Sequence, residues 1–310
     1  MRSPMRTFLL LVAGGTLCVA CSDPTLRSDL DTEGPPEVNI VTVTSEATGA
    51  APTFCSTDAN AKVSRVVCPE DDNGSRAVTA VTDVTPANME VRIVFSELLD
   101  PSIEVLEDRD GMNGMEGHID TTLPVAINCA GAALTYDGYY DVTGSHLTSP
   151  SGPALVVDVP GLQAATGSAC TVTVNSVVTD KDKNAVAGPG PYDFTLAPLH
   201  FNGFSITDAT TGVAVDEPLG VLFNAPIDPA SAVAGAVKLT TAADTANNIE
   251  VTITGVGNAF TVIPMAGAWL PKTAYILTFL ASADVKDATG GGVYTMPASD
   301  AVLTFTTTAN

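Results

Sequence analysis

Six cysteines, three histidines and a surplus of carboxylates are the groups in this chain that could do chemistry, and their spacing limits what that chemistry can be. Nucleophilic catalysis needs a serine or thiol, an imidazole and a carboxylate brought together. No G-x-S-x-G occurs, and Ser145-His146 are merely neighbours in sequence. His118, His146 and His200 are scattered singly, and no CxxC occurs among Cys55, Cys68, Cys129 and Cys170, which argues against zinc. Asp180-Lys181-Asp182-Lys183-Asn184 has the alternating oxygen ligands with which calcium loops begin. Ala185 replaces the glycine such a loop needs, Pro191 stands where a bidentate Glu belongs, and two lysines interleave with the acids. Asp180, Asp182 and Asn184 are therefore weak calcium candidates beside the stronger reading of a hairpin turn, and no cofactor is expected. Glu107-Asp108-Arg109-Asp110-Gly111 and Pro69-Glu70-Asp71-Asp72-Asn73-Gly74 read as solvated acidic loops. Tyr136-Asp137-Gly138-Tyr139-Tyr140 joins an Asp-Gly hairpin signal to three tyrosines, which could stack on sugar rings but are better suited to packing across strands. Asp100 and Asp228 are each followed by proline, the order that caps a short helical turn. No span reads as an active site, so an enzyme is not expected.

The amino end directs the chain out of the cytoplasm. Arg2 and Arg6 make a positive start, and an apolar stretch from Phe8 to Ala20 follows. That stretch is too short to cross a bilayer, which takes roughly 20 apolar residues. Leu17-Cys18-Val19-Ala20-Cys21 resembles the lipobox of bacterial lipoproteins, with Cys18 where the family prefers leucine. The resemblance implies a signal peptide over 1–20, a palmitate-type lipid at Cys21 and a membrane anchor; an ordinary secretory signal is the alternative. Four cysteines then remain in an oxidising compartment, where an even number reads as disulfides. Cys55 with Cys68 brackets one short loop, and Cys129 with Cys170 shares a later core region, so these pairings are favoured.

Charge excludes whole classes of partner. Thirty-five acidic residues face thirteen basic ones in 310, a formal charge of -22, which argues against nucleic acid and against adsorption to anionic headgroups. A lipid must then do the anchoring. Residues 21–34, with Asp23, Asp29, Asp31 and Glu33 and no apolar period, read as a flexible tether. From Pro35 onward, short runs rich in Val, Thr, Ile, Phe and Tyr are broken by Gly, Pro, Asn and Asp, the texture of an all-β protein.

An internal repeat organises those runs. Phe95-Ser96-Glu97-Leu98-Leu99-Asp100-Pro101-Ser102 returns as Phe223-Asn224-Ala225-Pro226-Ile227-Asp228-Pro229-Ala230. Val159-Pro160 precedes the strand Thr171 to Val174 as Ile263-Pro264 precedes Tyr275 to Phe279. Val178-Thr179-Asp180 answers to Val285-Lys286-Asp287, and Tyr192-Asp193-Phe194-Thr195 to Val302-Leu303-Thr304-Phe305-Thr306. The first copy is longer by insertions around Glu107 to Ile119 and Ala130 to Ser151, which read as loops.

A strand ending in Phe-Ser-Glu, then Asp-Pro-Ser, an apolar-Pro segment, a Tyr-type strand, Val-x-Asp and a closing Phe-Thr strand resembles the bacterial Ig-like domain of the S-layer (SbsA) type. The resemblance implies two tandem Ig-like β-sandwiches, residues 35–197 and 198–310. It implies a spacer, scaffold or adhesion module without shared catalytic residues. The resulting expectation is a lipid-anchored, non-enzymatic envelope protein, held at the outer membrane and facing periplasm or cell surface, whose partner is an envelope protein or a glycan. The alternative is a carbohydrate-binding or enzyme-associated module using Tyr136, Tyr139 and Tyr140.

Overall fold

Burial alternates with period two along the strands: Cys170, Val172 and Val174 turn inward, as do Phe260 and Val262, and Tyr275, Leu277 and Phe279. Apolar β-branched and aromatic residues at that period build sheets with one buried face. The computed structural model describes residues 34–45, 64–65, 81–84, 86–109, 111, 114–142, 153–292, 294–295 and 299–309. They form strands and short 3₁₀ turns, with no α-helix among the described residues. Cys21, Cys55, Cys68, the leader, the tether, Ser145-His146 and Pro69 to Gly74 lie outside them.

The strands divide into two groups. The first comprises β1 (Val38–Ser45), β2 (Ser64–Arg65), β3 (Val81–Val84), β4 (Met89–Phe95), β5 (Val105–Glu107), β6 (Glu116–His118), β7 (Val125–Cys129), β8 (Ala132–Ala133), β9 (Asp137–Asp141), β10 (Ala154–Val159), β11 (Ala169–Val174) and β12 (Tyr192–Leu196). Its sheets run β2-β1-β4-β10-β9 and β3-β12-β11-β7-β8, with β5-β6 as a separate hairpin. The second comprises β13 (Leu199–Phe204), β14 (Thr210–Val213), β15 (Leu219–Phe223), β16 (Val237–Thr241), β17 (Val251–Val256), β18 (Ala259–Pro264), β19 (Ala274–Phe279), β20 (Tyr294–Thr295) and β21 (Ala301–Thr307). Its sheets run β17-β18-β15-β13-β20 and β14-β21-β19-β16.

One topology occurs twice. Each of the pairings β1·β4, β4·β10, β10·β9, β7·β11 and β11·β12 recurs, in order, as β13·β15, β15·β18, β18·β17, β16·β19 and β19·β21, all antiparallel. One parallel pairing recurs as well: β3 joins β12, and β14 joins β21; the edge pairing differs, antiparallel for β1·β2 and parallel for β13·β20.

Each group closes on its own core. One core runs from Val38 to Leu196, the other from Leu199 to Phe305. Phe95 and Phe223 end β4 and β15 with their rings inside, each worth roughly 1.5–3 kcal/mol of burial. The second core is aromatic: Trp269 meets Tyr275 and Phe305 edge-on at 5.2 and 5.1 Å, and Phe223 meets Phe260 and Phe279 likewise. In the first core, a disulfide between Cys129 and Cys170 joins residues directly opposed on β7 and β11.

The insertions of the first group are not loops throughout. Residues 107–119 contribute to the β5-β6 hairpin, and 130–151 carry β8 and β9. The turn expected at Asp137-Gly138 lies instead at Ala130-Gly131, both at positive φ, between β7 and β8. Asp137-Gly138 belongs to β9, where Gly138 takes φ +154° and a Cβ would collide with the Val156 carbonyl of β10. Glycine is needed there for close backbone approach, a requirement that a local turn signal does not reveal.

Candidate functional site

The duplicated Asp-Pro step is built the same way in both halves. The Asp100 carboxylate accepts from Ser102 N at 2.9 Å and caps the turn Pro101–Ile103; Asp228 accepts from Ala230 N at 2.9 Å and caps Pro229–Ser231. Their own amides donate to Thr179 O at 2.7 Å and Lys286 O at 2.9 Å, the residues just before Asp180 and Asp287. The cap therefore fastens one repeated motif to the other within each half. Asp100 has one further partner, the Lys183 ammonium. That hydrogen bond, followed by the one from Ser102 N, holds the Asp100 carboxyl down at about 2.

Asp180, Asp182 and Asn184 do not converge their oxygens. Asp180 is buried and takes Asn184 N at 2.8 Å and Asn184 Nδ2 at 2.7 Å, so Asn184 offers it a donor while Asp182 points to solvent. The segment is a turn tied to its own carboxylate, with Lys183 N on Asp180 O. Burial pushes the Asp180 carboxyl up, but its donors outweigh burial and leave it below the ordinary value. Among the described residues no three His, Cys, Asp or Glu side chains are placed to hold a metal ion.

The densest charged cluster sits where the β5-β6 hairpin meets β9, in a segment expected to be a solvated loop. Arg109 grips Asp120 through two hydrogen bonds of 2.8 and 2.9 Å, holds Glu107 at 2.8 Å and reaches Asp137 at 3.4 Å. This fork lowers the Asp120 carboxyl and raises the Arg109 guanidinium further above its ordinary value. Asp137 also meets His118 Nδ1 at 2.7 Å and accepts from Ile119 N and Gly138 N. A carboxylate orienting an imidazole is two-thirds of a catalytic triad, but the buried His118 Nε2 has no hydrogen-bond partner. No hydroxyl or thiol among the described residues hydrogen-bonds that nitrogen, the third member a triad needs. The geometry of the pair is that of a brace: Tyr140 N of β9 donates to Glu104 beside the hairpin at 2.9 Å, and Gly138 O accepts Ile119 N at 3.1 Å.

Two of the three tyrosines face inward. Tyr136 and Tyr140 are buried, with the Tyr136 hydroxyl bonded to Val125 and the Tyr140 hydroxyl accepting from Leu99 N at 2.7 Å. Burial pushes both phenols up to about 12. Tyr139 is half-buried and pairs with Val156 on β10. Tyr136 and Tyr140 are packing residues, as cross-strand tyrosines commonly are, while Tyr139 lies on the opposite face of β9. On the outer side of the same sheet, Arg92 and Asp141 form a buried ion pair at 2.7 Å, a contact without a local sequence signal because 49 residues separate its partners.

Residues 197–307, the second sandwich, match the bacterial Ig-like domain family. The N-terminal part of the bacterial S-layer protein SbsC is a structural neighbour at 16% identity and a TM-score of 0.26, covering 36% of this chain. The likeness takes in 24% of that chain's length. No curated protein is significantly similar to this chain.

Proposed function

We propose that the chain is a lipid-anchored, non-enzymatic cell-envelope protein whose two tandem Ig-like sandwiches space or present an interaction surface at the membrane. The observation that carries this reading is the match of residues 197–307 to the bacterial Ig-like domain family, a module used structurally on bacterial surfaces. The first half supports it by repeating the same strand order. The leader supports it by ending at Cys21 in a lipobox-like sequence. The chemistry supports it too, since the carboxylates of the charged cluster are engaged in bracing strands rather than directed into a cleft.

Fractionation tests the anchor. The native protein is expected in the detergent phase with a lipid on Cys21, and Cys21→Ala is expected to be released or left unprocessed. An unmodified amino terminus at any other residue overturns it. A sandwich swap tests the role: replacing residues 198–310 by an unrelated sandwich of equal length preserves a spacer and abolishes a specific interaction module.

A further inference from the structure

Asp287 is fully buried in the loop after β19, yet its carboxylate is shared between the two halves of the molecule. One oxygen accepts from Thr166 N of the first sandwich at 2.7 Å. The other accepts from Thr289 N at 3.0 Å and Thr289 Oγ1 at 2.6 Å in its own loop. Backbone closes tightly around this junction: a Cβ at Gly292 would land on the Asp287 carboxylate and on Thr166 Oγ1, and one at Gly291 would lie 3.4 Å from Ala165 Cβ. The connecting residues are pinned on both sides. Ala197 N donates to Val84 O at 2.7 Å and Ala197 O accepts from Gly167 N at 3.1 Å, both within the first sandwich. Pro198 O accepts from Asn224 Nδ2 at 2.9 Å, and Asn224 Oδ1 takes His200 N at 2.9 Å, within the second. A flexible linker leaves such groups to water.

We propose that Asp287 locks the two sandwiches into one rigid body with a fixed angle between them, rather than leaving two modules on a swivel. The lock holds without metal, because a carboxylate charge collects N–H and O–H donors from both sides of the junction. Swinging the sandwiches apart removes one of those donors from a buried anion. Asp180, the counterpart in the first sandwich, keeps its bonds to Asn184 inside its own turn. The bond across the junction is therefore particular to Asp287 and not a by-product of the repeated motif. This goes beyond the spacer reading, since the coupling exists whatever the sandwiches carry.

Thr166→Pro is the discriminating variant. Ser168 N donates to Ala165 O at 3.2 Å and Gly167 has φ +77°, the geometry of a type II turn with Thr166 at the position proline favours. The substitution thus deletes the donated N–H and keeps the turn. Gly292→Ala displaces the carboxylate from the opposite side. Residual dipolar couplings from the strands of both sandwiches in the full wild-type chain are expected to fit one alignment frame. In either variant, with core resonances unchanged, two frames are expected, with the degree of alignment differing between the sandwiches. If one variant fails to fold, the other decides. Two frames in the wild type, or one frame retained in a folded variant, overturns the lock.

Discussion

Asp100 and Asp228 occupy the same place in two copies of one turn, yet only Asp100 has a lysine against it. The folded Asp100 value, about 2 against an ordinary 3.8, makes its contribution to stability fully present above 3.8 and lost as pH falls from there through about 2. Lys183→Met is expected to raise the Asp100 value toward 3.8 and flatten the acid limb of the stability curve, read by carboxyl NMR titration and melting at low pH. An unchanged titration would place the shift on Ser102 N instead. Asp287 has the same sign: burial raises its carboxyl, donors from Thr289, Thr166 and Gly292 outweigh that, and its contribution is lost below 3.8. At Asp228, alanine removes the cap alone and is expected to cost about 1 kcal/mol in thermal unfolding. Both caps were legible in the sequence because an Asp-Pro cap is closed by the amide two residues on. The bond from Thr166 to Asp287 spans 121 residues, and no local pattern carries it.

At the scale of elements, the two sandwiches stabilise one topology by different means. The second packs Trp269, Tyr275 and Phe305 against each other; the first joins β7 to β11 through Cys129 and Cys170. Closing a loop of 41 residues is worth about 4 kcal/mol in the chain-entropy account, so the double variant Cys129→Ala/Cys170→Ala should lose stability of that order in urea titration. A loss near zero would mean that the β7-β11 ladder alone already restricts the unfolded chain. Exposed strand edges are also managed. Leu239 on the edge strand β16 gives its N–H to Asn248 Oδ1 at 3.0 Å and its carbonyl to Ile249 N at 2.7 Å, beside Lys238. The strands themselves were readable from alternation, and their repeat from ordered anchors. The insertions read as loops because β5, β6 and β8 are only two or three residues long and β9 carries Asp137-Gly138 and Asp141, while the pairing of β9 with β10 and the bracing of the β5-β6 hairpin by Arg109 are remote in sequence.

At the scale of the whole molecule, the question is whether the junction couples orientation alone or folding as well. The second core contains its own Phe223, Phe260, Trp269, Tyr275, Phe279 and Phe305, and none of the chain's six cysteines falls within 198–310. Cutting at residue 198 removes one donor from Asp287, Thr166 N, while Thr289 keeps its two bonds to the other oxygen. One hydrogen bond to a charged group is worth about 1.5–3 kcal/mol net of water, enough to bias an orientation yet small against a core of that size. Residues 198–310 alone are therefore expected to fold and melt cooperatively, with the same midpoint in chelator as in calcium, by circular dichroism. A midpoint that falls when calcium is removed would point to a cation among the acidic turns. A fragment that stays unfolded would make the lock part of the folding unit itself, with the two sandwiches able to fold only together. Cooperative folding of the fragment, combined with a single alignment frame in the intact chain, would separate the two roles: each core folds by its own packing, and Asp287 sets the angle between them.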